Sequence, residues 1–135
     1  MKIKLLVVFL LISSVVISQE IGSISEGNHF MKLRKTNNLF SLVYSEVKSG
    51  SLYSENSFYF NNRETLYSIL MDGFTTKSDH QVILQTSNDT IVKLNFKKIN
   101  GELMLYVYQN NLKSNTFGMS TFFSKKQIAS LFSTI

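Results

Sequence analysis

The groups from which a catalytic centre could be built are few and dispersed. The 135 residues include two histidines, nine acidic residues and no cysteine, a sparse set from which to draw a nucleophile, a general base and an orienting acid. His80 directly follows Asp79. On an extended strand adjacent side chains point to opposite faces, so the two cannot act together on one substrate. His29 and His80 are therefore read as surface or edge residues. No serine sits in a Gly-x-Ser-x-Gly pattern, and a nucleophilic serine needs a base supplied by the fold. Without Cys, His-x-His or His-Glu-x-x-His, and with scattered carboxylates, no metal site is expected. The six glycines fall at turns and element ends rather than in a phosphate cradle, so no nucleotide or other cofactor is expected. Asn88-Asp89-Thr90 fits the N-linked acceptor pattern, but turn chemistry accounts for Asn and Asp there.

One constellation has the residue types of a binding surface. If Asn100-Gly101 is the loop of a hairpin, Ile99 pairs with Glu102, and counting outward sets Phe96 opposite Leu105 and Leu94 opposite Val107. The reverse face then carries Asn95 opposite Tyr106, Lys93 opposite Tyr108 and Lys97 opposite Met104. A face of Lys93, Lys97, Tyr106 and Tyr108 suits a protein or glycan partner, because tyrosine serves a half-wet surface. The same residues also stabilise a sheet without any ligand, through strand propensity and cross-strand Tyr-Lys pairing.

The elements that position this face follow from periodicity. Alternation marks strands at Phe30 to Lys35 and Phe40 to Val47, with Asn37-Asn38 between them, and a short aromatic strand at Ser57 to Phe60 after the Ser-rich loop from Lys48 to Asn56. Leu66, Ile69 and Leu70 recur at helical spacing, Asn61 and Glu64 resemble a capping pair, and Gly73 marks an end, predicting a helix over 62–72. Period-two alternation resumes at Val82 and Leu84, at Val92 to Phe96 and at Leu103 to Val107, with turns at Ser87-Asn88-Asp89 and Asn100-Gly101. A last strand spans Phe117 to Phe123. Ser124 and Gln127 then form a capping box, Phe123 and Ile128 a hydrophobic staple, and Ile128, Leu131, Phe132 and Ile135 an apolar stripe. The order βββ-α-ββββ-α predicts an α+β domain: an antiparallel sheet of six or seven strands with two helices on one face. A small closed β-barrel with a C-terminal helix is the alternative, and in it the phenylalanines would line a cavity.

The N-terminal residues speak to location. Lys2 and Lys4, the apolar run Leu5 to Ile12 and the small Ser18 follow the order of a secretory signal peptide, expected to be cut before Gln19. The apolar core falls short of the roughly 20 residues a spanning helix needs. The expected organisation is a signal peptide at 1–18, a flexible leader at 19–28 and one domain at 29–135. Membrane contact would come only through the uncleaved signal. Removing Lys2 and Lys4 leaves 12 of the 14 basic residues against 9 acidic ones, +3 instead of +5, a field too weak for nucleic acid binding. Absence of Cys excludes both a lipid anchor on a thiol and a disulfide framework. The reading is an exported, secreted or periplasmic, non-enzymatic module binding a protein or glycan of the cell envelope. A small carrier enclosing an apolar ligand is the second hypothesis, and an enzyme with an unrecognised site the third.

Overall fold

The computed structural model describes residues 17–47, 54–86 and 89–133. The apolar run at 5–12 with its lysines, the stretch 48–53, Ser87, Asn88 and Ile135 lie outside them. In chain order the elements are β1 (Ser18–Glu26), β2 (His29–Thr36), β3 (Leu39–Ser45), β4 (Glu55–Phe60), α1 (Arg63–Thr75), β5 (His80–Thr86), β6 (Thr90–Ile99), β7 (Glu102–Asn111), β8 (Thr116–Met119), β9 (Phe123–Ser124) and α2 (Lys125–Phe132). The class is α+β with antiparallel strands, and no barrel closes. The expected single sheet is divided in two, a four-stranded β1-β2-β3-β4 and a five-stranded β5-β6-β7-β8 with β9 also on β7. The division falls at α1: the helix leaves the end of β4 and returns the chain to β5, and those two strands share no ladder.

The Asn100-Gly101 hairpin has the expected register throughout, from Ile99↔Glu102 to Leu94↔Val107. Both loop residues take positive φ, 52° and 82°, the mirror-image turn whose twist suits a hairpin and which only small or amide residues adopt at low cost. Asn37, at φ 56°, likewise opens the turn that pairs Thr36 with Leu39.

Residues 19–28, expected to be a flexible leader, are corrected in large part to strand: β1 runs to Glu26 and pairs with β2 along its length. Its periodicity is hidden by a bulge. Between Glu20↔Arg34 and Gly22↔Leu33 one residue, Ile21, is extra, so Ile21 and Ile24 break the simple alternation that marks a strand. α2 holds β1 in place, because the Gln127 amide nitrogen donates to the Glu26 carboxylate (2.8 Å) and the Ser25 carbonyl (3.3 Å).

A second bulge reshapes the expected strand at 117–123. β8 pairs Tyr108↔Met119, whereas β9 pairs Leu105↔Phe123, one residue out of step. The slip falls around Ser120, whose N–H donates to the Val107 carbonyl (2.8 Å) while its Oγ accepts the Val107 N–H (2.9 Å). A one-residue slip exchanges the faces of a strand. Phe123 therefore turns into the core, fully buried with Ile128 and Leu131, and Phe122 turns outward. The capping box on Ser124 is complete: its Oγ accepts the Gln127 N–H (3.1 Å) and the Gln127 Oε1 accepts the Ser124 N–H (2.9 Å).

α1 differs from expectation at both ends. Its cap is Asn62, whose Oδ1 accepts the Thr65 N–H (3.0 Å), rather than Asn61. The helix also continues through Gly73 to Thr75. Gly73 is a contact residue and no terminator, since a Cβ there would overlap the Phe96 ring. The next residue, Phe74, meets that ring edge to face at 5.1 Å.

One buried cluster includes both sheets and both helices, with Leu33, Leu42 and Phe58 from the first sheet, Leu94, Phe96, Leu105 and Val107 from the second, Leu70 from α1 and Ile128 from α2. Both helices pack against this apolar side and touch each other through Tyr67 and Phe132 (5.3 Å between rings). Away from α1 the sheets are clasped. The Val47 N–H donates to the Met119 carbonyl (3.0 Å), and the buried Glu46 carboxylate accepts the Met119 N–H (2.8 Å) and the Asn56 amide.

Candidate functional site: the outer face of the second sheet

With the helices on the inner side, the opposite face of the second sheet is left to solvent. Strand register places its side chains in rows. Ile83, Lys93, Tyr108 and Met119 lie side by side across β5 to β8; Gln85, Ile91, Asn110 and Phe117 form the row beside them, and Gln81, Asn95 and Tyr106 the row on the other side. Lys97 and Met104 continue the face toward the hairpin tip. Lys93, Lys97, Tyr106 and Tyr108 thus share one face, as the hairpin register requires.

The face is more apolar than those four residues suggest. Ile83 and Phe117, on the two edge strands, are 60 % and 56 % exposed, and Ile91, Met104 and Met119 are half-buried between them. Three interstrand spacings separate β5 from β8, about 14 Å at ~4.8 Å each. The rings are ordered by one another: Tyr108 stacks with Phe117 (6.2 Å, 23°), Tyr106 meets Phe122 edge to face (4.9 Å, 71°), and the Lys93 Nζ lies 5.9 Å from the Tyr108 centroid. Beside Tyr106, Phe122 and Lys97 an open groove of about 360 Å³ runs along Met119 to Thr121 toward Val47. The Ser120 bulge builds that groove, because it alone puts Phe122 on the outer side. Ile83, Phe117 and Phe122 belong to this surface but escape a reading confined to one hairpin, whereas Ile91, opposite Asn110, lies within that hairpin's register. The missing information is the pairing of β5 and β8 with that hairpin.

The face is also electrostatically one-sided. Among the described residues its cations are Lys93 and Lys97, its one carboxylate is Glu102 at the hairpin tip, and no ion pair engages either lysine. Across the strands the Gln81 amide nitrogen donates to the Asn95 Oδ1 (2.6 Å).

The residues with catalytic potential are placed elsewhere and apart. The Asp79 Oδ1 accepts the Lys98 N–H (2.8 Å), while the His80 ring stacks on Phe96 (4.7 Å, 5°) with its Nδ1 2.9 Å from the Ser78 carbonyl. His29 is the histidine that meets a serine, with its Nδ1 3.2 Å from the Ser45 Oγ. Ser45 also opens a Ser-x-x-Lys spacing with Lys48, a residue outside those described. That hydroxyl accepts the Phe30 N–H (2.9 Å) and is 2 % exposed, so it fastens β2 to β3 and meets no solvent-borne substrate. Deeper in, the Tyr44 hydroxyl donates to the Gln109 Oε1 (2.8 Å) and the Gln109 amide nitrogen donates to the Ser57 carbonyl (3.0 Å). Burial, and secondarily the Glu46 carboxylate, holds the Tyr44 hydroxyl far above the usual tyrosine range, keeping it a neutral donor. Among the described residues no three His, Asp or Glu side chains converge, and no helix is long and apolar enough to cross a membrane.

No family model, no curated protein and no solved structure matches the chain.

Proposed function

We propose that the protein is an exported, non-enzymatic interaction module whose outer second-sheet face docks an acidic surface of a protein partner in the cell envelope. The observation that carries this reading is the sheet face itself, where exposed Ile83 and Phe117 flank a Tyr-Lys centre whose lysines form no ion pair among the described residues. Aromatic and Met side chains are enriched at protein interfaces, and Tyr106, Tyr108, Phe117, Phe122, Met104 and Met119 supply them on this face. The aliphatic projections favour protein over glycan, since a sugar is gripped by flat stacking rings and amides, and here Tyr106 is engaged edge-on by Phe122. Export rests on the order Lys2, Lys4, Leu5 to Ile12, Ser18.

A photo-crosslinking residue at position 83 or 117, introduced into the full chain in cells that produce it, tests the docking face. Both positions should yield an adduct with the same protein. The adduct should vanish in Lys93→Glu/Lys97→Glu and persist in Lys125→Glu/Lys126→Glu, which reverses two exposed charges on α2. Adducts insensitive to the first pair, or heterogeneous polysaccharide adducts, would overturn the protein-docking reading. Recovery of the chain in the cytosol with residues 1–18 intact would overturn export.

A further inference from the structure

We infer that the cleft where the two sheets part is a second binding site, for a small uncharged amphiphile. At the Glu46 clasp the sheets are joined, but at the opposite edge β4 and β5 share no ladder and α1 runs beneath them. The space left between is a cleft of about 380 Å³, within the range of small-molecule sites, which begins near 300 Å³. Its walls are Leu39, Tyr59 and Phe60 from the first sheet, Leu66 and Ile69 from α1, and Leu84 from the second sheet. Leu39 and Tyr59 remain 38 % and 47 % exposed at the mouth, so large apolar groups stand ready around a concavity.

The lining also sets the ligand's charge. Among the described residues no Asp, Glu, Lys, Arg or His borders the cleft; its polar groups there are neutral amides and hydroxyls, such as Asn61, Gln85 and Thr65. A buried carboxylate or ammonium would have no counter-charge there, and an unpaired charge is costly to desolvate. A hydroxyl or amide head can instead be hydrogen-bonded at the rim while an apolar body fills the interior. This site is separate from the outer sheet face and replaces the barrel cavity expected of a carrier, since the sheets enclose space by parting and not by closing.

The test uses N-phenyl-1-naphthylamine, an uncharged apolar fluorophore, with the full chain. Saturable enhancement at one probe per chain is expected, displaced by 1-decanol at least ten-fold more effectively than by decanoate at pH 8. Ile69→Trp fills the interior and should reduce probe affinity at least ten-fold. Leu39→Trp, at the exposed mouth where folding is least at risk, should reduce it several-fold. Tyr108→Ala on the other face should leave it unchanged. Non-saturable enhancement, equal displacement by decanol and decanoate, or full binding in Leu39→Trp would overturn the inference. So would a dimer in light scattering that Leu39→Trp dissociates, since a second copy would then be the occupant.

Discussion

Removing the side chain of Glu46 separates two roles a buried carboxylate can have. It is 9 % exposed and sits on no described cation; two N–H donors, from the Met119 backbone and the Asn56 amide, satisfy it. Gly118 makes room for this arrangement, because a Cβ there would overlap the Asn56 amide. Glu46→Ala leaves both donors unpaired. Each lost partner costs about 1–3 kcal/mol when the remaining group stays buried, but Asn56 is only half-buried and regains water, so the expected loss is about 2–3 kcal/mol. Near 4 °C per kcal/mol for a domain of this size, the melting temperature should fall by about 8–12 °C. Glu46→Gln should cost only about 1 kcal/mol: its Oε1 still accepts from Met119, and Asn56 can turn its amide over to present Oδ1 to the new NH2. Urea unfolding with unchanged m-values measures both. Equal losses for the two variants would refute the reasoning, since charge rather than hydrogen-bond geometry would then hold the clasp.

Gly73→Ala should destabilise by about 1–3 kcal/mol, as overpacking does, although the same change in an open helix gains about 1 kcal/mol; urea unfolding reads the sign directly, and the Phe96 overlap decides it. For Tyr44, whose hydroxyl is held above the usual range, the folded state keeps a proton that the unfolded chain releases. Its contribution is therefore complete below the unfolded pKa of about 10 and is lost as pH rises, by up to about 1.4 kcal/mol per pH unit. Tyr44→Phe should flatten the alkaline limb of the stability profile by that slope. Cleavage before Gln19 removes from the described fold only Ile17 and the Ser18↔Thr36 pair, so a chain beginning at Gln19 should unfold within about 0.5 kcal/mol of one beginning at Ile17; a larger drop would place the working start of β1 elsewhere.

What could be read from the chain was what local rules determine. Asn100-Gly101 dictates its turn, and from the turn the faces of β6 and β7 follow residue by residue, which is why Lys93, Lys97, Tyr106 and Tyr108 could be placed together. Ser124, Gln127, Phe123 and Ile128 carry their helix start in the same way. The pattern fails at Ile21 and at Ser120, where a single extra residue exchanges inward and outward positions; alternation counted through either bulge sends every later side chain to the wrong side. Gly73 misleads for a related reason, since a helix-ending glycine and a close-contact glycine are identical in sequence and differ only in the presence of Phe96, 23 residues on.

The Ser120 bulge also ties the core to the candidate surface. Because Val107 is bonded by both the N–H and the Oγ of Ser120, the chain slips there by one residue, and Phe123 and Phe122 take opposite sides as a result. Without the slip Phe123 would face outward and leave the α2 staple unmade, while Phe122 would abandon Tyr106 and the groove beside it. The same residue therefore stabilises the terminal helix and shapes the outer face proposed for docking, so a sequence lacking the bulge could not keep one and lose the other. The proposed docking surface depends in this way on core packing, and so the four residues legible from the hairpin are its centre, while its extent is set by strands that only the tertiary fold brings alongside.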